Sequence, residues 1–201
     1  MDYLYAMILF AVSSSVTPGP NNIMVMTSGL NFGVRKSLPL LSGICMGFAI
    51  MLLLVGVGFG QLFELFPSLH FIIKCLGVLY LLYLAWLIAR SGDIGSSDAQ
   101  AKPMGFMKGA LFQWINAKAW VVATGAIAAF TTVGADFHNQ NMMLAITFLV
   151  VSFPCVGVWL MFGSLLKKAL TQAKYRQWFN YTMSGLLVVS VLPVIREILN
   201  H

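Results

Sequence analysis

Long apolar stretches alternate with short polar clusters along this chain, and the alternation counts its helices. Asp2 is followed by no charge until Arg35 and Lys36 by none until Glu64; further runs lie between Lys74 and Arg90, Lys118 and Asp136, His138 and Lys167, and Arg176 and Arg196. A helix rises about 1.5 Å per residue, so about 20 apolar residues cross the hydrocarbon core of a bilayer. The pattern predicts an all-α integral membrane protein with six transmembrane helices, near 4–30, 38–62, 68–89, 111–132, 142–166 and 179–198.

One polar stretch of any length interrupts the pattern. Residues 91–103 carry Ser91, Gly92, Asp93, Gly95, Ser96, Ser97, Asp98 and Gln100, which reads as a flexible linker. It divides a single transmembrane domain, 1–201, into three-helix halves, 1–90 and 104–201. A half with an odd number of spans can be repeated only upside down in the membrane, so counting alone predicts an inverted repeat, the arrangement common in secondary transporters. Paired small residues, Gly29 with Gly33, Gly43 with Gly47 and Gly56 with Gly60, are spaced for close helix crossings. Aromatics at Tyr80, Tyr83 and Trp86, and at Tyr175, Trp178, Phe179 and Tyr181, sit towards span ends.

Composition removes the soluble alternatives. The chain is 59% hydrophobic and 9% charged, whereas a soluble domain is charged at about a quarter of its positions. Its first run has Asp2 in place of a basic leader and continues through two prolines, so it reads as a retained span and not a secretory signal. Of the twelve basic residues, nine (Arg35, Lys36, Arg90, Lys102, Lys108, Lys167, Lys168, Lys174 and Arg176) follow spans one, three and five. The positive-inside rule then places both termini outside the cytoplasm of a cell inner membrane. The net charge of +6 is a topology signal, with no basic surface for nucleic acid. Cys45, Cys75 and Cys155 all lie in apolar runs and match no metal-ligand spacing, which reads as packing thiols. Nothing in the sequence calls for a cofactor, and it leaves room for a homo-oligomer.

Two constellations carry candidate chemistry. Thr17-Pro18-Gly19-Pro20-Asn21-Asn22 falls in the middle of the first apolar run. Each proline removes a backbone donor and clashes with the preceding turn, costing about 3 kcal/mol in a helix interior. In lipid such a break persists only where protein or an aqueous cavity serves the freed carbonyls. A helix restarting at Pro20 would aim its first amides at an occupant of the break, with the Asn21 and Asn22 side chains beside it. The second constellation is Gln113, Asn116 and Lys118 at the head of span four. An ammonium near membrane depth is costly unless it has a use or snorkels to the interface. The functional reading makes Lys118 a countercharge for a substrate carboxylate, with Asn116 and Gln113 as its polar neighbours.

These residues carry a resemblance. The segment from Thr17 to Asn22 matches the early TPGP motif of the lysine exporter/RhtB family (LysE superfamily) of amino-acid exporters, in the Asn-Asn form of the cysteine and O-acetylserine exporter branch. Gly77, Tyr80, Leu81, Leu82, Tyr83, Leu84 and Trp86 resemble its third-span G-x-x-YL-x-YL-x-W pattern, and Asn116-Ala117-Lys118-Ala119-Trp120 its N-P-K-A-W motif. The resemblance implies a transporter and not an enzyme, exporting a small amino acid or derivative with coupling to the proton gradient. Three positions depart from the family pattern. Ala117 replaces a proline, which predicts loss of the kink beside Lys118; Ala85 replaces a glycine; and Asn21 is neutral where many relatives are acidic. No Asp, Glu or His lies deep in a predicted span, which leaves Lys118 as the titratable group. The alternative set beside this is a membrane thiol-reductant carrier of the CcdA type, which needs a reactive cysteine beside a proline break in each half. Cys155 follows Pro154, but the break at Pro18–Pro20 has none.

Overall fold

A computed structural model describes residues 2–59, 67–90, 102–132, 134–169 and 172–199, and among them every regular element is helical. Eight α-helices follow in order: α1 (Asp2–Val16), α2 (Pro20–Phe32), α3 (Val34–Leu54), α4 (Pro67–Arg90), α5 (Phe106–Phe112), α6 (Ala117–Phe130), α7 (Phe137–Ala169) and α8 (Ala173–Leu199). A π-helical turn, Val55–Phe59, extends α3, and a 3-10 turn, Gln113–Ile115, follows α5. Residues 91–101 of the linker, and Glu64 in the segment 60–66, lie outside the described residues.

Element lengths decide which helices can cross a bilayer alone. Among the described residues, Val34–Gly58 and Phe137–Leu166 are long and apolar enough, with mean hydropathies of 2.5 and 2.2. The 24 residues of α4 and the 27 of α8 suffice by length. By contrast α1, with 15 residues, and α2, with 13, reach only about two thirds of a bilayer each, and the seven-residue α5 reaches less. The first apolar run is therefore two half-helices end to end, as its prolines predict. The fourth is too, and here the structure corrects the expectation. The chain leaves the helix at Gln113, Asn116 is extended at φ −86° and ψ 104°, and α6 starts afresh at Ala117. Span four is broken without its proline, because the Asn116 carboxamide caps the restart by accepting from the Lys118 backbone N–H at 3.2 Å.

Each broken pair lies along an unbroken helix distant in sequence. Next to α7 run first α1 and then α2 in the same direction, with Phe10 meeting Phe148, Ser15 meeting Ser152 and Gly29 meeting Leu160. Beside α3 runs α5, with Phe106 at Gly43 and Ala110 at Gly47, so α5 enters from the end that carries Arg35 and Lys36. α4 packs on α8. These crossings are close enough to need glycine. A Cβ at Gly43 would overlap the Phe106 carbonyl oxygen, and one at Gly163 that of Met26. Gly33, expected to pair with Gly29 at a crossing, has open space around it; its φ of +81° makes it the turn between α2 and α3.

Two cores result. One gathers Ile23, Met26, Leu40, Ile44, Leu84, Leu160 and Leu187 from α2, α3, α4, α7 and α8, at the basic end. The other gathers Met7, Ala11, Phe48, Leu52, Ala123, Leu144 and Phe148 from α1, α3, α6 and α7. Outside the cores, Leu79, Val121 and Val150 are each more than 60% exposed.

Candidate functional site

Breaking α1 from α2 frees carbonyls that no intrahelical N–H can reach, and the structure gives them partners. The Asn22 carboxamide donates to Ser15 O at 2.9 Å and Thr17 O at 3.0 Å. Trp159 Nε1 donates to Val16 O at 3.2 Å. Lys118 Nζ donates to Thr17 O at 2.7 Å and more weakly to Pro18 O at 3.5 Å. An ammonium thus sits on the negative end of the α1 dipole, where a cation is favoured. Lys118 turns towards the other break. On the far side of the gap Gly19 is fully extended and Pro20 opens α2 with no side-chain cap. The first-turn amides of α2 at Asn21 and Asn22 therefore keep their donors for another occupant.

Around this gap, between the two cores, lies a cavity of about 50 Å³, large enough for more than one water molecule. Its polar wall is Ser14, Ser15, Gly19, Asn21, Asn22, Asn116, Lys118 and Ser152; its apolar wall is Ile44, Cys45, Phe48, Ala119, Val122, Phe148 and Val156. Among the described residues no acidic side chain lines it. The cavity brings together Gly19, Asn21, Asn22, Asn116 and Lys118 of the residues expected from sequence. Thr17 and Pro18 contribute carbonyls to Lys118, and Pro20 contributes the helix start. Gln113 stands apart and is a correction. It is fully buried off the cavity wall and is not a neighbour of the Lys118 ammonium.

Instead Gln113 meets Asn21 in a reciprocal amide pair across the two breaks. Asn21 Nδ2 donates to Gln113 Oε1 at 2.9 Å, and Gln113 Nε2 donates to Asn21 Oδ1 at 3.1 Å and to Gly109 O at 2.9 Å. Removing either partner leaves a buried amide unpaired, at about 1–3 kcal/mol. Asn21→Leu and Gln113→Leu are each expected to lower the melting temperature in detergent. The double variant should lose less than the sum, with a coupling of about 1 kcal/mol in the cycle. Strict additivity would mean that the pair carries no interaction.

The serines and the apolar wall were not singled out from sequence. Ser13-Ser14-Ser15, a hydroxyl run just before the prolines, was a readable signal. Ser152 and Phe148 had none, because only the course of α7 beside the break brings them there.

A profile of the family described as LysE type translocator matches residues 12–194. A protein named "Cysteine/O-acetylserine efflux protein" from Klebsiella pneumoniae subsp. pneumoniae is 27% identical over 194 residues, 96% of each chain. Proteins of the same name from Salmonella typhimurium and Escherichia coli are each 30% identical over 188 residues, 92% of this chain and 93% of theirs. No solved structure matches the chain.

Proposed function

Because this chain belongs to the LysE type translocator family, and is thus a multi-pass membrane transporter and not an enzyme, we propose that it exports a small neutral amino acid of the cysteine or O-acetylserine class from the cytoplasm. One observation carries the substrate class: a cavity between two broken helices has Lys118 as its cation and, among the described residues, no acidic side chain on its wall. A carboxylate would take the ammonium from Thr17 O, helped by the unspent amides that begin α2. The α-ammonium would find Ser14, Ser15 and the carbonyls at the end of α1. What remains of the ligand faces Ile44, Val122, Phe148 and Val156. A lysine or arginine side chain would bring a second cation to a wall with no carboxylate to receive it, which is unfavourable in a desolvated site.

Six spans, counting α1 with α2 and α5 with α6 as one each, complete the reading. Support for an inverted repeat comes from the pairing of α1 and α2 with α7, and of α5 with α3. It comes also from the restarts: Gly19-Pro20-Asn21 and Asn116-Ala117-Lys118 hold the same three positions at the start of a second half-helix. Asn21 and Lys118 are thus counterparts, each reaching across to the other half's break. The basic loops favour both termini outside the cytoplasm. Lys118 is also the group we assign to proton coupling, as the basic side chain on the cavity wall. The thiol-carrier alternative has Cys45 on the cavity wall, and it is the family of the chain that speaks against it.

Counterflow in proteoliposomes tests the reading. Labelled cysteine and O-acetylserine are expected to exchange, faster under an imposed pH gradient, while labelled lysine stays behind. Exchange of lysine at a comparable rate, or of no neutral amino acid by a folded preparation, would overturn it.

A further inference from the structure

The cavity is bounded in physically different ways towards its two ends. Towards the basic end the closure is backbone on backbone. Gly43 lets α3 touch the main chain of α5, Gly163 lets α7 touch that of α2, and the Asn21–Gln113 pair ties α2 to the segment after α5. Opening that side means parting whole helices. Towards the other end the closure is made of side chains. Phe48 from α3 and Phe148 from α7 both line the cavity, and their ring centroids are 5.3 Å apart at 60°. Beyond them Phe148 meets Phe10 at 6.2 Å, Phe10 meets Phe130 at 5.6 Å, and exposed Tyr3 donates to Phe130 O. That row of rings leads from the cavity to the start of α1 and the end of α6.

We propose that Phe48 and Phe148, one from each half, form the gate through which the substrate leaves, with release past Phe10 between α1 and α6. Which face of the membrane this is rests on the orientation given under Proposed function; that a gate lies here does not. Two rings in contact exclude water and polar solutes, yet they separate by side-chain rotation without parting a backbone contact. The side with glycine contacts stays shut meanwhile. Such asymmetry makes this conformation one that is closed thickly to the basic end and thinly to the other, as alternating access requires of a release state.

Ser152 provides the reporter site, because it lines the cavity one turn past Phe148 on α7, on the side of the basic end. In a chain carrying Ser152→Cys, with Cys45, Cys75 and Cys155 replaced by Ala, the introduced thiol is titrated with a membrane-impermeant maleimide. Sealed right-side-out and inside-out vesicles present the two faces separately. Adding Phe148→Ala or Phe48→Ala is expected to speed labelling at least tenfold from one face only. Phe148→Leu, which keeps most of the bulk but not the ring contact, should fall between and guards against a poorly folded Ala variant. Acceleration from the extracytoplasmic face supports gate and orientation together. If it comes from the cytoplasmic face, the gate stands and the orientation reading falls. Unchanged labelling, or equal acceleration from both faces, would overturn the gate.

Discussion

Lys118→Met is expected to reduce efflux about 10- to 100-fold, through a higher KM, in a protein that still inserts and melts near the parent temperature. Met keeps the length of the side chain and removes the charge. A hydrogen bond to a charged group contributes about 1.5–3 kcal/mol, and each 1.4 kcal/mol is tenfold in affinity. The structural cost is smaller. Thr17 O keeps the Asn22 donor at 3.0 Å, so only Pro18 O and the end of the α1 dipole lose a partner, and a cation at a helix end is worth about 0.3–1 kcal/mol. The two roles of this lysine therefore separate in one experiment, with counterflow titrated against substrate and thermal melting run on the same preparation. A fall in melting temperature with KM unmoved would make Lys118 a clasp for the broken helix and nothing more.

For the fold itself the largest effect is expected at a glycine. Gly43→Ala puts a methyl group onto the Phe106 carbonyl oxygen, and the neighbouring atoms are backbone that cannot rotate away. Overpacking in a core costs typically about 1–3 kcal/mol, and here the upper end applies because α3 and α5 must move apart. Since α5 leads into the 3-10 turn that holds Gln113, the Asn21–Gln113 pair and the cavity floor should loosen with it. Gly157→Ala is the matched control. It lies inside α7 with nothing within 4 Å of its Cβ, and exchanging helical Gly for Ala adds up to about 1 kcal/mol of helix propensity. Melting in detergent should fall sharply for Gly43→Ala and hold or rise for Gly157→Ala. Equal behaviour of the two would show that the crossing tolerates separation.

The Asn116–Ala117 restart marks where local sequence rules stop. Single prolines are absorbed inside helices here, Pro39 in α3 and Pro154 in α7, but two a residue apart are not, which is why the gap at Pro18–Pro20 is legible from one strand of letters. With Ala117 in the proline's place the same rules predict a continuous helix, since alanine is the best helix former. The break survives because the Asn116 carboxamide caps the new helix and Gln113 is committed to Asn21 in the other half. A partner 92 residues away is invisible to any pattern with the period of a helix. Gln113 was misassigned for that reason. It has the right chemistry and stands beside the right break, but it faces Asn21 and not the ammonium.

What the sequence by itself determined is whatever follows from one segment at a time: apolar length, which demands lipid; loop charge, which favours one orientation; and two prolines, which cannot share a helix. Singling out Lys118 as the candidate cation belongs here too, because an isolated ammonium in an apolar run has few inexpensive places to be. Only the tertiary structure decided that Lys118 crosses to Thr17, that Ser14, Ser15 and Ser152 make the polar wall, and that Phe48 meets Phe148. These are contacts between halves, fixed by where glycines allow helices to touch, and the packing of one helix on another has no expression in the local periodicity of either.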